Sequence, residues 1–229
     1  MKRVILAGMT ALAAVTMVAA ANAADLPRRQ NTMPVKAPYA PAYYNWTGFY
    51  LGINGGYGFG ESNWSSALGS TGDFDTNGAV VGGTLGYNWQ VGHAVFGLEG
   101  DLDWSDIKGS TSTAAFCAGG NCETRNNWLG TARGRIGYAF DRFMPYVTGG
   151  LAVGDIKATT PVGSTTETNA GWTAGGGVEA AIAGPWTAKV EYLYTDLGKG
   201  TCDAANCGGA SADVGFRTNI VRGGINYRF

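Results

Sequence analysis

After its first two dozen residues this chain has no run of about 18 consecutive apolar side chains, the length a helix needs to cross a bilayer. It is also poor in charge. Charged residues make up 14%, against about 25% in a usual soluble surface-rich domain. Its 16 Lys+Arg and 17 Asp+Glu nearly cancel, which leaves no basic patch of the size nucleic acid demands. There is one histidine, His93, in a short predicted turn, so a Ser–His catalyst or a haem ligand has little to build on. The glycine-rich string over residues 52–58 lacks the strand-to-helix context of a phosphate loop, which excludes a nucleotide site.

What the chain does have begins with a leader. Lys2 and Arg3 precede an uncharged apolar run over residues 4–20, and Ala21-Asn22-Ala23 follows. A basic start, an apolar middle and an A-x-A end predict a cleaved secretory signal peptide over residues 1–23. Losing Lys2 and Arg3 leaves 14 Lys+Arg against 17 Asp+Glu, a formal charge of −3. Residues 24–45 hold Pro27, Pro34, Pro38 and Pro41 and show no periodicity, which predicts an extended periplasmic segment. Export also bears on the four cysteines. Cys117/Cys122 and Cys202/Cys207 are both spaced C-x4-C, and an exported chain meets an oxidising compartment. Two local disulfides, Cys117–Cys122 and Cys202–Cys207, are expected. A metal site made from all four would need reduced thiolates and two loops brought together.

From residue 46 onward the hydrophobic period is two, the signature of β-strands. In the last stretch Val221, Gly223, Ile225, Tyr227 and Phe229 alternate with Arg222, Gly224, Asn226 and Arg228. Seven further stretches behave alike, near residues 46–58, 78–90, 94–104, 127–138, 145–154, 171–182 and 186–195. One face of each carries no charge and often ends in Trp or Tyr. A soluble sandwich would turn that face inward but would not explain the aromatic ends. Facing lipid, it predicts a transmembrane β-barrel, the only alternative to helices that satisfies every backbone group in a bilayer. The expected fold is all-β: an eight-stranded antiparallel up-and-down barrel over residues 46–229. Connections alternate between short (91–93, 140–144, 183–185) and long (59–77, 105–126, 155–170, 196–213), matching short periplasmic turns and four long external loops. Tyr87, Trp89, Phe96, Tyr138, Trp186, Tyr227 and Phe229 would form the lower aromatic girdle, and Tyr57, Trp104, Trp128 and Trp172 the upper one.

The opposite phase places Glu99, Asp101, Asp103, Glu179 and Glu191 in the lumen with Arg133, Arg135, Lys189, Arg222 and Arg228. Buried charges must be paired and hydrogen-bonded, so a network filling the lumen is expected. A barrel of eight strands is just wide enough for its own side chains. Gly52, Gly56, Gly82, Gly86, Gly150, Gly175 and Gly177 also point inward, however, and leave room for a thin water path. No catalytic constellation stands out, and no enzyme, metal or cofactor is expected.

The segments Trp46-Thr47-Gly48-Phe49-Tyr50-Leu51-Gly52, Arg133-Gly134-Arg135-Ile136-Gly137-Tyr138, Gly171-Trp172-Thr173 through Glu179, Glu191-Tyr192 with Asp196-Leu197-Gly198, and the final strand, together with Ala24-Asp25-Leu26-Pro27, carry a likeness. The chain resembles the small outer-membrane β-barrel proteins of alphaproteobacteria, a porin-like surface-antigen family related in architecture to opacity proteins and the OmpA membrane domain. The resemblance implies an abundant outer-membrane protein surrounded by lipid and lipopolysaccharide, with roles in envelope integrity and host contact. The ending with Gly224, Tyr227 and Phe229 resembles the signal read by the barrel assembly machinery. Some relatives bind haem through external loops, but no haem motif maps onto residues here. No peptidoglycan-binding domain is expected after Phe229. A structural, surface-exposed barrel is the leading expectation. The alternatives are a low-conductance pore for small solutes and a loop-borne binder of haem or a host molecule.

Overall fold

The computed structural model describes residues 44–67, 69–112, 121–161, 163–202, 204 and 211–229. The expected leader, its cleavage site, the proline-rich stretch up to residue 43, and Cys117 and Cys207 lie outside the described residues. Among the described residues no helix is long and apolar enough to cross a membrane.

Eight strands form one closed antiparallel barrel in sequence order: β1 (Gly48–Ser66), β2 (Gly69–Val91), β3 (Ala94–Thr111), β4 (Cys122–Tyr138), β5 (Phe143–Thr160), β6 (Gly163–Ala183), β7 (Trp186–Cys202) and β8 (Ala212–Arg228). β8 closes the barrel against β1, from Tyr50 opposite Arg228 to Ser66 opposite Ala212. Closure removes the sheet edges that lipid could not satisfy.

The alternating pattern sets each strand's face. Phe49, Leu51 and Ile53 of β1, Leu98 and Leu102 of β3, and Val147 and Leu151 of β5 are all exposed on the outer wall. Their sequence neighbours Asn54, Glu99, Asp101, Asp103 and Thr148 are buried. Trp104 stands opposite Trp128 in the upper girdle, and Trp89 opposite Phe96 in the lower one. The Tyr57 and Tyr192 hydroxyls donate upward to Asn77 Oδ1 (3.0 Å) and Asn219 Oδ1 (2.6 Å). These amphipathic rings mark where the apolar wall ends.

Each short turn holds one residue in the left-handed region: Gly92 (φ 61°), Asp141 (φ 53°) and Gly184 (φ 53°). Asp is one of the few L-residues that tolerates this conformation. The long connections are built mostly as strand. β1 and β2 stay paired to Ser66 opposite Gly69, and β5 and β6 to Thr160 opposite Gly163. Register shifts at Asn63/Ser65, Trp104/Ile107, Arg125/Leu129 and Asp196/Lys199 lie near or above the upper girdle, where bulges twist a barrel rim.

Candidate functional site: a charged lumen between two apolar layers

The lumen is layered along its axis. In the middle lies an ionic layer of nine side chains. Arg133 bridges Glu99, Asp101 (2.6 Å) and Glu191 (3.1 Å). Arg222 bridges Asp101 (3.0 Å), Asp103 (2.8 Å) and Glu191 (2.8 Å). Arg135 reaches Glu179 (2.7 Å) and Glu99 (3.4 Å), and Lys189 reaches Glu99 (3.0 Å). Several of these bonds cross the barrel: β4 to β7 through Arg133–Glu191, β3 to β8 through Asp103–Arg222, and β3 to β7 through Glu99–Lys189. These bonds run across the lumen at that height and not along its wall. Polar neighbours add further hydrogen bonds to Glu99, Asp101, Glu179 and Glu191, whereas Asp103 Oδ1 has no partner among the described residues. Tyr50 and Tyr146 donate to Glu99 (2.8 Å) and Glu191 (3.0 Å), Thr84 and Thr131 donate to Asp101, and Thr187 and Asn226 donate to Glu179. Arg135 also stacks over the rings of Tyr50 and Tyr146 at 5.2 and 4.8 Å. Isolated buried charges would be prohibitive, and this degree of pairing is what makes the layer tolerable.

The inward glycines serve this packing. A Cβ on Gly86 would meet the Tyr50 ring at 2.3 Å, one on Gly82 the Asp103 carboxylate at 2.0 Å, and one on Gly52 the Asn226 side chain at 2.0 Å. At Gly52, Gly82 and Gly86 the expected space is occupied by neighbouring side chains, and at Gly56, Gly150, Gly175 and Gly177 an added Cβ would first meet the backbone of the adjacent strand.

On the periplasmic side Trp46, Val95, Ala139, Met144 and Tyr146 form a buried apolar layer. The segment just before β1 builds it. Tyr44 N donates to Asp141 Oδ1, Trp46 N to Gln90 Oε1, Trp46 Nε1 to the Asp141 carbonyl, and Gln90 N to Thr47 Oγ1. The left-handed Asp141 and Gln90 therefore hold this segment together. Arg228 belongs here and not to the ionic layer. It lies over the Tyr44 ring at 4.3 Å and joins no ion pair among the described residues.

On the external side the lumen is filled by Trp64, Val80, Ile107, Leu129, Ile156, Leu193, Leu197, Val214, Phe216 and Ile220, with Cys122 and Cys202 in the same buried cluster. Trp64 donates its indole N–H to Thr124 Oγ1 (2.8 Å). Sequence reasoning missed this layer because it ended each strand at the girdle. The inward apolar residues Val80, Leu129 and Leu193, at the upper ends of the predicted strands, were the available signal.

A second unanticipated residue is Asp155. It is buried, and its carboxylate accepts the backbone N–H groups of Asn127 (2.7 Å) and Trp128 (2.9 Å) and the Asn127 side-chain amide (2.5 Å). It satisfies the backbone freed where β4 slips register against β5.

The family model for the outer membrane protein beta-barrel domain matches residues 10–229. This chain belongs to that family. The 31 kDa outer-membrane immunogenic protein of Brucella melitensis is 39% identical over 249 residues, covering all of both chains. The 22 kDa outer membrane protein of Rhizobium leguminosarum bv. viciae is 38% identical, over 85% of this chain and 82% of that one. The crystal structure of Neisserial surface protein A aligns with 17% identity and a TM-score of 0.47, covering 80% of this chain and 98% of that chain. As a family member, the chain is a structural, surface-exposed barrel embedded in the lipid of the outer membrane, and membership supports a non-enzymatic role.

Cys122 and Cys202 are each disulfide-bonded. The C-terminal strand ends at the periplasmic rim, where Phe229 N donates to the Phe49 carbonyl (2.9 Å) and Arg228 N to that of Pro185 (2.9 Å). Tyr227 and Phe229 face outward, and a Cβ on Gly224 would approach the Ile53 carbonyl to 2.9 Å.

Proposed function

We propose that this protein is a sealed barrel that reinforces the outer membrane and holds rigid hairpins beyond it, and that it is not a solute pore. The observation that carries this reading is the set of ion pairs crossing the lumen, closed below by the Trp46 layer and above by the Trp64–Phe216 layer. A pore would need an open polar path, and the crossing ion pairs and the two apolar layers stand in its way. In this reading the leader over residues 1–23 is removed on export. The Cys117–Cys122 and Cys202–Cys207 bonds close the tips of two hairpins. Gly224, Tyr227 and Phe229 are read by the barrel assembly machinery, a reading that the outward exposure of Tyr227 and Phe229 supports. Lipopolysaccharide surrounds the upper wall, and host or surface ligands, haem among them, would meet only the hairpin tips.

Cells lacking the protein should admit a hydrophobic dye and lose detergent resistance, and wild-type protein should restore both. Unchanged permeability in the deletion strain would refute the reinforcing role.

A further inference from the structure

Above the upper girdle the outer wall turns polar, and its charges are sorted by side. Around β7, β8, β1 and β2 lie Asp196, Asp213, Glu61 and Asp73, with Arg217 and Lys199 among them. Around β3, β4 and β5 the balance reverses. Lys108 stands opposite Arg125, and Arg125 opposite Lys157. Three cations thus sit side by side on adjacent strands, flanked by uncharged Asn77 and Thr166. All three face outward, because the residues that alternate with them (Ile107, Thr124, Asn126, Ile156 and Ala158) are buried.

One acid answers the row. Asp106 binds Arg125 Nη2 at 2.5 Å and Lys108 Nζ at 3.4 Å. Desolvation pushes its carboxyl upward, but the Arg125 hydrogen bond and the two cations outweigh this and hold its pKa below the ordinary value. Glu123, the next acid on this face, lies two residues above Arg125, opposite Ser110 and Thr159. Lys157 joins no ion pair among the described residues.

Like charges directly opposite on paired strands destabilise a sheet, so barrel folding gains nothing from this row. Its height points to what it meets. Lys108 is four residues beyond Trp104 on β3, which on a tilted strand is roughly 10 Å above the girdle. Indole rings sit at the membrane–water interface, and long basic side chains reach along the wall from above. That level is occupied by lipid headgroups.

We propose that Lys108, Arg125 and Lys157 form a docking row for the phosphate groups of the outer-leaflet lipid, lipopolysaccharide. The guanidinium supplies two-pronged recognition of a phosphate, and the flanking ammonium groups supply point charges. The row deepens the reinforcing role proposed above and rests on it: it names what the wall grips.

The test uses protein refolded in neutral detergent, with heat-shifted gel mobility establishing the barrel. It is titrated with bisphosphorylated lipid A and, separately, with the same lipid dephosphorylated. The phosphorylated lipid should bind roughly tenfold more tightly, the scale expected of a few interfacial cations, and the preference should shrink at high salt. The triple variant K108Q/R125Q/K157Q should lose the preference while resisting urea at least as well as wild type, because it relieves like-charge crowding. Glu61→Gln on the acidic side should keep the preference. Equal affinity for the two lipids, or a triple variant that retains the preference, overturns the proposal. If the triple variant does not fold, Lys157→Gln alone decides: a clear drop in the preference supports the row, and an unchanged preference overturns it. Displacement of the lipid by millimolar inorganic phosphate at constant ionic strength would assign the row to a free anion and overturn the lipid assignment. Ion currents across a bilayer would overturn the sealed barrel while leaving this lipid preference standing, so the two failures are distinguishable.

Discussion

Between the two aromatic girdles the barrel keeps its charges inside and its apolar side chains outside; above the Trp104–Trp128 row the same strands do the reverse. On β3, Glu99, Asp101 and Asp103 are buried while Leu98 and Leu102 are exposed; a few residues further on Ile107 is buried and Lys108 exposed. On β8, Arg222 is buried beside exposed Val221, whereas Phe216 is buried beside exposed Arg217. The period of two does not change along either strand. What changes is the medium outside the wall. Where lipid is outside, the lumen has to take the polar set, and that set is stable only as a closed network of pairs. Where water is outside, the apolar set goes inward and packs as in any soluble core. Both arrangements fill the lumen, by different physics.

The difference can be broken most sharply in the lower half. Arg133→Met leaves Glu99, Asp101 and Glu191 short of a shared cation and should destabilise the barrel by about 3–5 kcal/mol, as removing one partner of a buried charge set does. The urea midpoint of refolding in micelles reads it, and an unshifted midpoint would mean that the layer is solvated. Ile107→Ala in the upper layer removes only packing and should lower stability by about 2–5 kcal/mol through the cavity it leaves.

The outer wall offers the next contrast. Leu98→Arg places a cation against lipid and should lose about 2–4 kcal/mol. Ser164→Arg, exposed on the upper wall opposite the uncharged Thr159, should stay within about 0.5 kcal/mol of wild type. Equal effects at both positions in lipid vesicles would show that the lipid boundary is misplaced. Reduction of the disulfides should lower stability by about 2 kcal/mol, read as a lower urea midpoint with dithiothreitol. The smallest effect separates two kinds of glycine. Gly83 faces outward with nothing closer than 3.8 Å to an added Cβ, so Gly83→Ala should stabilise by about 0.4–1 kcal/mol. Gly86→Ala should destabilise, because its Cβ would collide with Tyr50.

Much of the lower half was legible because alternation there is strict and lipid forbids charge outside. The eight strands, the three short turns and the inward phase of Glu99 through Arg222 follow from that pattern. Arg228 shares the phase yet stands apart, since it sits at the rim where Tyr44 supplies a ring in place of a carboxylate. The upper half is not legible as strand, because polar outward residues such as Asn77, Lys108 and Arg125 break the clean apolar face that marks the lower half. The bulges at Trp104/Ile107 and Arg125/Leu129 interrupt the pattern further. Which cation meets which carboxylate was not legible at all. Lys189 stands opposite Glu179 in register but bonds to Glu99 across the lumen, a choice fixed by side-chain length and axial packing.

The most direct test of the sealed lumen is current recorded across a planar bilayer holding the refolded protein, with folding established by heat-shifted mobility. A silent bilayer is expected for the wild type. Discrete, reproducible conductance steps that vanish on changing Arg133 and Glu179 would contradict a sealed lumen, because they would place an open ion path through the ionic layer.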